Sequence, residues 1–201
     1  MRDESSDARE PRDSLLPEHV EPLLEGRFGR PYRYLERCGS TQRELAPEAP
    51  EGAVVATGEQ TAGRGRLGRP WFAAPETSLL FSVNLRPAVE TARLPELSIV
   101  AGVAAAEAIR RVTSLAPEIK LPNDLLLDGR KLAGILAEAR EGRVVLGIGI
   151  NVNVAPEDLP ADVDAEPTSL LAELGTPVDR AQLLAAILLE LERRYDAWHG
   201  G

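Results

Sequence analysis

Residues 63–71 read Gly63-Arg64-Gly65-Arg66-Leu67-Gly68-Arg69-Pro70-Trp71, and the rest of the chain is organised around them. Three Arg and three Gly fall in the seven positions 63–69. Glycine lets a backbone fold back on itself and approach a ligand closely. Arginine offers a forked set of donors that matches carboxylate and phosphate oxygens in pairs. The cluster is basic in a chain of net charge −9. It reads as a loop that closes around a small anionic ligand; on these residues alone, a solvated basic loop is the alternative.

The flanks set the fold. Residues 53–57 form a short β-type run that ends in Gly58-Glu59-Gln60 and leads into the loop. Residues 78–86 alternate, with Leu79, Phe81, Val83 and Leu85 on one face, which predicts a half-buried strand. Upstream, 32–38 alternates and is rich in aromatic residues, a strand followed by Gly39-Ser40-Thr41-Gln42. A Ser or Thr there either caps a helix start or points its hydroxyl at a ligand. Residues 14–25 predict a short helix with Pro17 in its first turn, and residues 1–13, without an apolar face, a disordered segment.

Downstream, 94–112 is the longest helical pattern. Leu97, Val100, Ala104, Ala108 and Val112 share a stripe filled out by Ala101, Ala105 and Ile109, the small residues implying close packing on a sheet. Residues 125–127 and 131–139 flank Asp128-Gly129, a tight-turn signal between apolar runs. Residues 143–153 predict a further strand, 154–166 a loop, and 169–174 a short helix. Asp179 to Gln182 resembles a capping box opening a last helix, whose buried stripe runs from Leu184 through Ile187, Leu188, Leu191 and Tyr195 to Trp198. The expected fold is α+β, a mixed β-sheet with helices packed mainly on one face, in one domain spanning 14–201.

Composition narrows the function. No apolar run approaches the roughly 20 residues of a membrane span, and the N-terminus lacks a signal-peptide core. The acidic balance opposes general nucleic-acid binding, and a winged-helix domain needs several tens of residues before the first strand. One cysteine, Cys38, fits a reducing cytoplasm, and two histidines, His19 and His199, lie near opposite ends, so no His/Cys metal cluster is expected. Only two of the 23 basic residues are lysine, Lys120 and Lys131. In a chain that favours Arg so strongly, Lys120, Asn123, Lys131 and Asn151 are candidates for positions where Arg or Asp does not substitute.

Several motifs together resemble the biotin protein ligases. Residues 63–71 look like the Gly-Arg-Gly-Arg signature of that family. Lys120-Leu121-Pro122-Asn123-Asp124 is similar to its Lys-Trp-Pro-Asn-Asp motif, and Lys131-Leu132-Ala133-Gly134-Ile135-Leu136 to its Lys-x-Ala-Gly-Ile-Leu strand. Gly147 to Asn151 resembles its Gly-x-Gly-x-Asn turn, and Ser40-Thr41 its Ser-Thr-Asn segment. Order and spacing agree over roughly residues 32–198. Gln42 stands where the family has Asn, and Leu121 where it has Trp, removing an aromatic wall.

The resemblance implies a two-step reaction. Biotin and ATP, with Mg²⁺, give biotinyl-5′-AMP and pyrophosphate; a lysine of the biotin carboxyl carrier protein of a biotin-dependent carboxylase then takes the biotin. It also implies roles. Ser40, Thr41, Gln60, Gly63 and Gly134 belong to the biotin pocket. Arg64, Arg66 and Arg69 close on carboxylate and phosphates. Lys131 bridges the two anions, Trp71 packs near adenine, Asn123 assists nucleotide and metal, Asn151 reads adenine, and Asp124 orients or deprotonates the incoming lysine. No metal ligand set is expected in the protein itself. The family's N-terminal DNA-binding domain and C-terminal β-barrel have no counterpart in these residues, and pairing of relatives through sheet edges or loops makes a homodimer one expected assembly. A lipoate ligase or octanoyl transferase of the same fold, and a non-catalytic biotin or biotinyl-AMP binder, are the alternatives.

Overall fold

The computed structural model describes residues 13–159 and 165–200. Seven strands form one sheet: β1 (Tyr32–Cys38), β2 (Val54–Gln60), β3 (Ser78–Leu85), β4 (Glu118–Lys120), β5 (Asp124–Leu127), β6 (Arg130–Arg140) and β7 (Arg143–Asn151). Their order is β1-β2-β3-β7-β6-β5-β4. Only β1 and β2 run parallel; every other neighbouring pair is antiparallel, so the sheet is mixed as the sequence predicts. Asp128 and Gly129 both take positive φ, +48° and +78°, the geometry of a two-residue hairpin turn between β5 and β6.

The helices are α1 (Pro17–Val20), α2 (Thr41–Glu44), α3 (Glu96–Thr113), α4 (Leu170–Leu174) and α5 (Arg180–His199). The long pair, α3 and α5, pack on each other and on one face of the sheet. Leu79, Phe81, Val83 and Leu85 of β3 meet Leu97, Ala101, Ala105, Leu184, Ile187 and Leu191 in that core. Val112, at the end of the predicted α3 stripe, is partly exposed instead. Asp179 caps α5 by accepting a hydrogen bond from Gln182 N at 3.0 Å, and Ser169 caps α4 by accepting one from Ala172 N. Trp198 ends the α5 stripe, packed against the core, with Nε1 donating to Glu96.

The opposite face carries α2 and the Gly/Arg segment. This corrects the reading of β3 as half-buried: all eight of its residues are buried. Both faces of β3 are covered, by α3 and α5 on one side and by α2 on the other. Likewise Gly147 to Asn151 is no turn; it lies inside β7, laddered to β3 on one side and β6 on the other. Residues 1–12 of the predicted disordered segment, and 160–164 of the predicted loop, lie outside the described residues. Asp13 is described, and its carboxylate accepts from Arg180 N and Nε.

Candidate active site

The site is a depression in the sheet face that α3 and α5 leave uncovered. Side chains alternate along a strand, so Gly134 and Leu136 of β6 share this face with Gly147, Gly149 and Asn151 of β7 and with Ser82 of β3. The glycines deepen it. Gly134 and Gly149 are partners in register. A Cβ at Gly134 would stand 2.8 Å from Trp71 Cζ3, and one at Gly149 2.7 Å from Trp71 Cε2. The indole therefore lies directly on bare backbone. Gly147 serves Gln42 in the same way, with 2.7 Å from such a Cβ to Gln42 Nε2.

A β-bulge delivers Lys131 to this face. Asp124 pairs with Gly134 and Leu125 with Ala133, but Leu126 pairs with Lys131, so Leu132 is the extra residue. Strict alternation back from Gly134 would have turned Leu132 toward the pocket and Lys131 away. The bulge reverses that: Leu132 is fully buried in the core and Lys131 lines the cavity. Lys131 Nζ stands 3.6 Å from Asp124 Oδ2 and 5.9 Å from the centre of a Trp71 ring. Its backbone is held from the other side, Lys131 N donating to Glu166 O at 2.7 Å and Lys131 O accepting from Thr168 N at 2.8 Å.

At the other end, the start of α2 forms the wall. Ser40 occupies the N-cap position without a side-chain cap bond, so these hydroxyls do not serve the helix. Thr41 N and Oγ1 both donate to Gln60 Oε1, at 2.9 and 3.3 Å, and Thr41 Oγ1 is 2.8 Å from Ser82 Oγ. Gln42 Nε2 donates to Leu136 O at 2.8 Å. Two polar atoms in this region, Gln42 Oε1 and Trp71 Nε1, are buried without a hydrogen-bond partner. Buried polar groups are normally paired, so these two mark places for water or ligand atoms.

The Gly/Arg segment is a flap with a hairpin stem. Arg64 bridges Pro70, Trp71 N donates to Gly63 O at 3.0 Å, and Gly65 N to Arg69 O at 2.7 Å. The tip is a 3₁₀ turn, Arg66–Gly68, in which Leu67 and Gly68 take φ of +56° and +76°. Leu67 pays steric strain there and is 89% exposed. Arg66 Nη1 donates to Asn123 Oδ1 at 3.3 Å, and Arg64 Nη1 approaches Glu138 Oε1 at 4.0 Å. Flap and sheet enclose a cavity of about 600 Å³. That lies within the range of small-molecule sites.

Of the residues singled out from sequence, Ser40, Thr41, Gln60, Arg64, Arg66, Arg69, Trp71, Asn123, Asp124, Lys131, Gly134 and Asn151 line this cavity together. Gly63 does not; a Cβ there would meet Trp71 O at 2.4 Å, so it closes the stem. Asn151 is buried, and its Nδ2 donates to Thr168 O at 3.0 Å. Leu121 lines the mouth with its side chain largely in solvent. Sequence reasoning missed Ser82, buried beneath Thr41, and the packing of Gln42 on Gly147. The even positions of β3 carried that signal: Ser78, Ser82 and Asn84 are its polar residues and share one face. Among the described residues no cluster of three or more His, Cys, Asp or Glu side chains forms a metal site.

Comparison with known proteins places the chain and its fold in a family. The model of the biotin/lipoate A/B protein ligase family matches residues 34–155. The chain is 40% identical over 177 residues to the bifunctional ligase/repressor BirA of Bacillus subtilis, covering 84% of this chain and 54% of that protein. It thus spans about half the length of that relative. It is 38% identical to the biotin--[acetyl-CoA-carboxylase] ligase of Mycobacterium tuberculosis, covering 93% of this chain and 74% of that one. Among solved structures, the biotin protein ligase of Aquifex aeolicus in complex with biotin and ATP superposes with a TM-score of 0.76 at 30% identity, over 83% of this chain and 71% of that one. The ligase of Leishmania major in complex with biotinyl-5-AMP gives 0.69 at 28%, over 84% and 76%. A lysine swung onto a glycine floor beneath an arginine flap thus sits in a sheet shared with these enzymes, and the chain belongs to the biotin/lipoate A/B protein ligase family.

Proposed function

We propose that this chain is an ATP-dependent biotin protein ligase of the cytoplasm. The biotin carboxylate attacks the α-phosphate of ATP, forming biotinyl-5′-AMP and releasing pyrophosphate. The ε-amine of a lysine on a biotin carboxyl carrier domain then attacks the acyl carbon, and AMP leaves. Both reactants of the first step are anions, so the site must supply fixed cations and donors where negative charge gathers. The observation that carries the reading is the bulge that aims Lys131 at the cavity floor, beneath three flap arginines.

Each side chain takes a part on this reading. Thr41, Gln60 and Ser40 surround the ureido end of biotin. Lys131 leaves Asp124 to bridge the biotin carboxylate and the α-phosphate. Asp124, released, accepts a proton from the acceptor lysine in the second step. Arg66 and Arg69 meet the phosphates, Trp71 packs near the adenine, and Asn123 and Asn151 hold the nucleotide. The closed flap keeps water from the anhydride. Mg²⁺ would arrive on the ATP phosphates and neutralise them; a cation held mainly by phosphates asks for one or two protein oxygens, and Asp124 and Asn123 offer that many.

Native mass spectrometry after incubation with biotin and ATP tests this. A retained adduct of the mass of biotinyl-adenylate, formed in competition with lipoate, is expected. An adduct formed only with lipoate would assign the chain to the other branch of its family. No adduct with either acid, under conditions where ATP binds, would contradict a ligase.

A further inference from the structure

Two flap arginines rest on different partners. Arg66 Nη1 donates to a neutral amide, Asn123 Oδ1, at 3.3 Å. Arg64 Nη1 faces a carboxylate, Glu138 Oε1, at 4.0 Å. Glu138 sits on β6 beyond the cavity wall, opposite Val145 of β7. Its other oxygen is ion-paired to Arg140 Nη2, and Arg140 Nη1 donates to Gln42 O at 3.2 Å. Gln42 in turn reaches back to Leu136 O of β6. A continuous polar chain therefore joins the flap, through Glu138 and Arg140, to the start of α2.

The partners decide what each arginine does when an anion enters. Arg66 exchanges a neutral acceptor for a charged one and gains electrostatic energy. Arg64 would exchange one carboxylate for another and gains little. We propose that Glu138 is the seat of the flap: it holds Arg64 in place while Arg66 turns to the ligand, so Arg64 and Glu138 are positioning residues. What the flap covers rests on the ligase reading; the seat itself does not.

The test is tryptic cleavage of the Arg66–Leu67 bond in the unliganded protein, with fragments assigned by mass. Glu138→Gln is expected to raise the cutting rate ~2- to 5-fold, the range for a partly exposed ion pair. About 0.5 M salt should bring the native protein toward that rate and leave Glu138→Gln unchanged, because exposed charges are screened. In an Arg64→Met background, Glu138→Gln should add nothing. An unchanged rate in Glu138→Gln would overturn the proposal. So would equal acceleration in both backgrounds, because the effect would then run through α2 or general unfolding. In turnover, Glu138→Gln should raise the KM for biotin ~2- to 5-fold with kcat within about twofold; a fall in kcat at unchanged KM would contradict a positioning role. Should the native protein fail to bind biotin, the ligase reading fails while the cleavage data still decide the seat.

Discussion

Gly149 shows how little room single residues leave in this site. An Ala there would set its methyl carbon 2.7 Å from the Trp71 indole, with β7 fixed by ladders on both sides. Gly149→Ala should lift the indole at a cost of about 1–3 kcal/mol, the usual penalty for overpacking. Urea titration measures the loss, and a red shift of the Trp emission reports the displaced ring. Arg66→Gly removes a charge-assisted donor worth about 1.5–3 kcal/mol, so pyrophosphate–ATP exchange should fall roughly 10- to 100-fold. Cys38 makes a contrasting case. Burial pushes its thiol up, and the Thr57 hydroxyl counters only in part. The reactive thiolate is therefore scarce at neutral pH. Alkylation by iodoacetamide at pH 8 should be slower than that of free cysteine and still rising above pH 9; a plateau below pH 8 would contradict this.

At the scale of elements, the strands other than the three-residue β4, and the long helices, were legible because period-2 and period-3.6 patterns are strong where one face is buried. The exceptions have physical causes. β3 read as half-buried because Ser82 and Asn84 are polar; both are paired in the interior, Ser82 with Thr41 and Asn84 with the carbonyls of Ala49 and Pro50. The bulge at Leu132 was invisible, since one inserted residue leaves composition and spacing unchanged while reversing every side chain beyond it. The loop after α2 depends on Arg143, which donates to Leu45 O, Ala46 O and Asn84 Oδ1. Burial, then the nearby Arg140 and Arg86, lowers its pKa. Arg143→Met should cost roughly 2–3 kcal/mol, because three acceptors lose a charged donor. Urea titration reads that loss, and calorimetry should find biotin affinity falling more than ATP affinity, since α2 carries the biotin wall.

The whole molecule is drawn together by a second buried guanidinium. Arg180, 2% exposed at the start of α5, binds Asp13, Glu76 and Ser78 O. It ties the N-terminal stretch, the approach to β3 and the last helix at one point. Sequence gave no sign of it, because an Arg in the first turn of a helix reads as a solvated residue. Arg180→Leu should lower stability by about 3–5 kcal/mol, as when one partner of a buried pair is removed, while leaving the site residues in place. Thermal unfolding followed by circular dichroism would show the fall. The site was more legible than this scaffold: ionic and glycine motifs keep their spacing whatever the packing, whereas Arg180 acquires its partners only when distant segments meet. The central claim concerns Lys131, and biotin-dependent exchange of labelled pyrophosphate into ATP tests it most directly. The native chain should catalyse exchange and Lys131→Ala should abolish it with the fold intact; exchange that persists in Lys131→Ala would contradict the account.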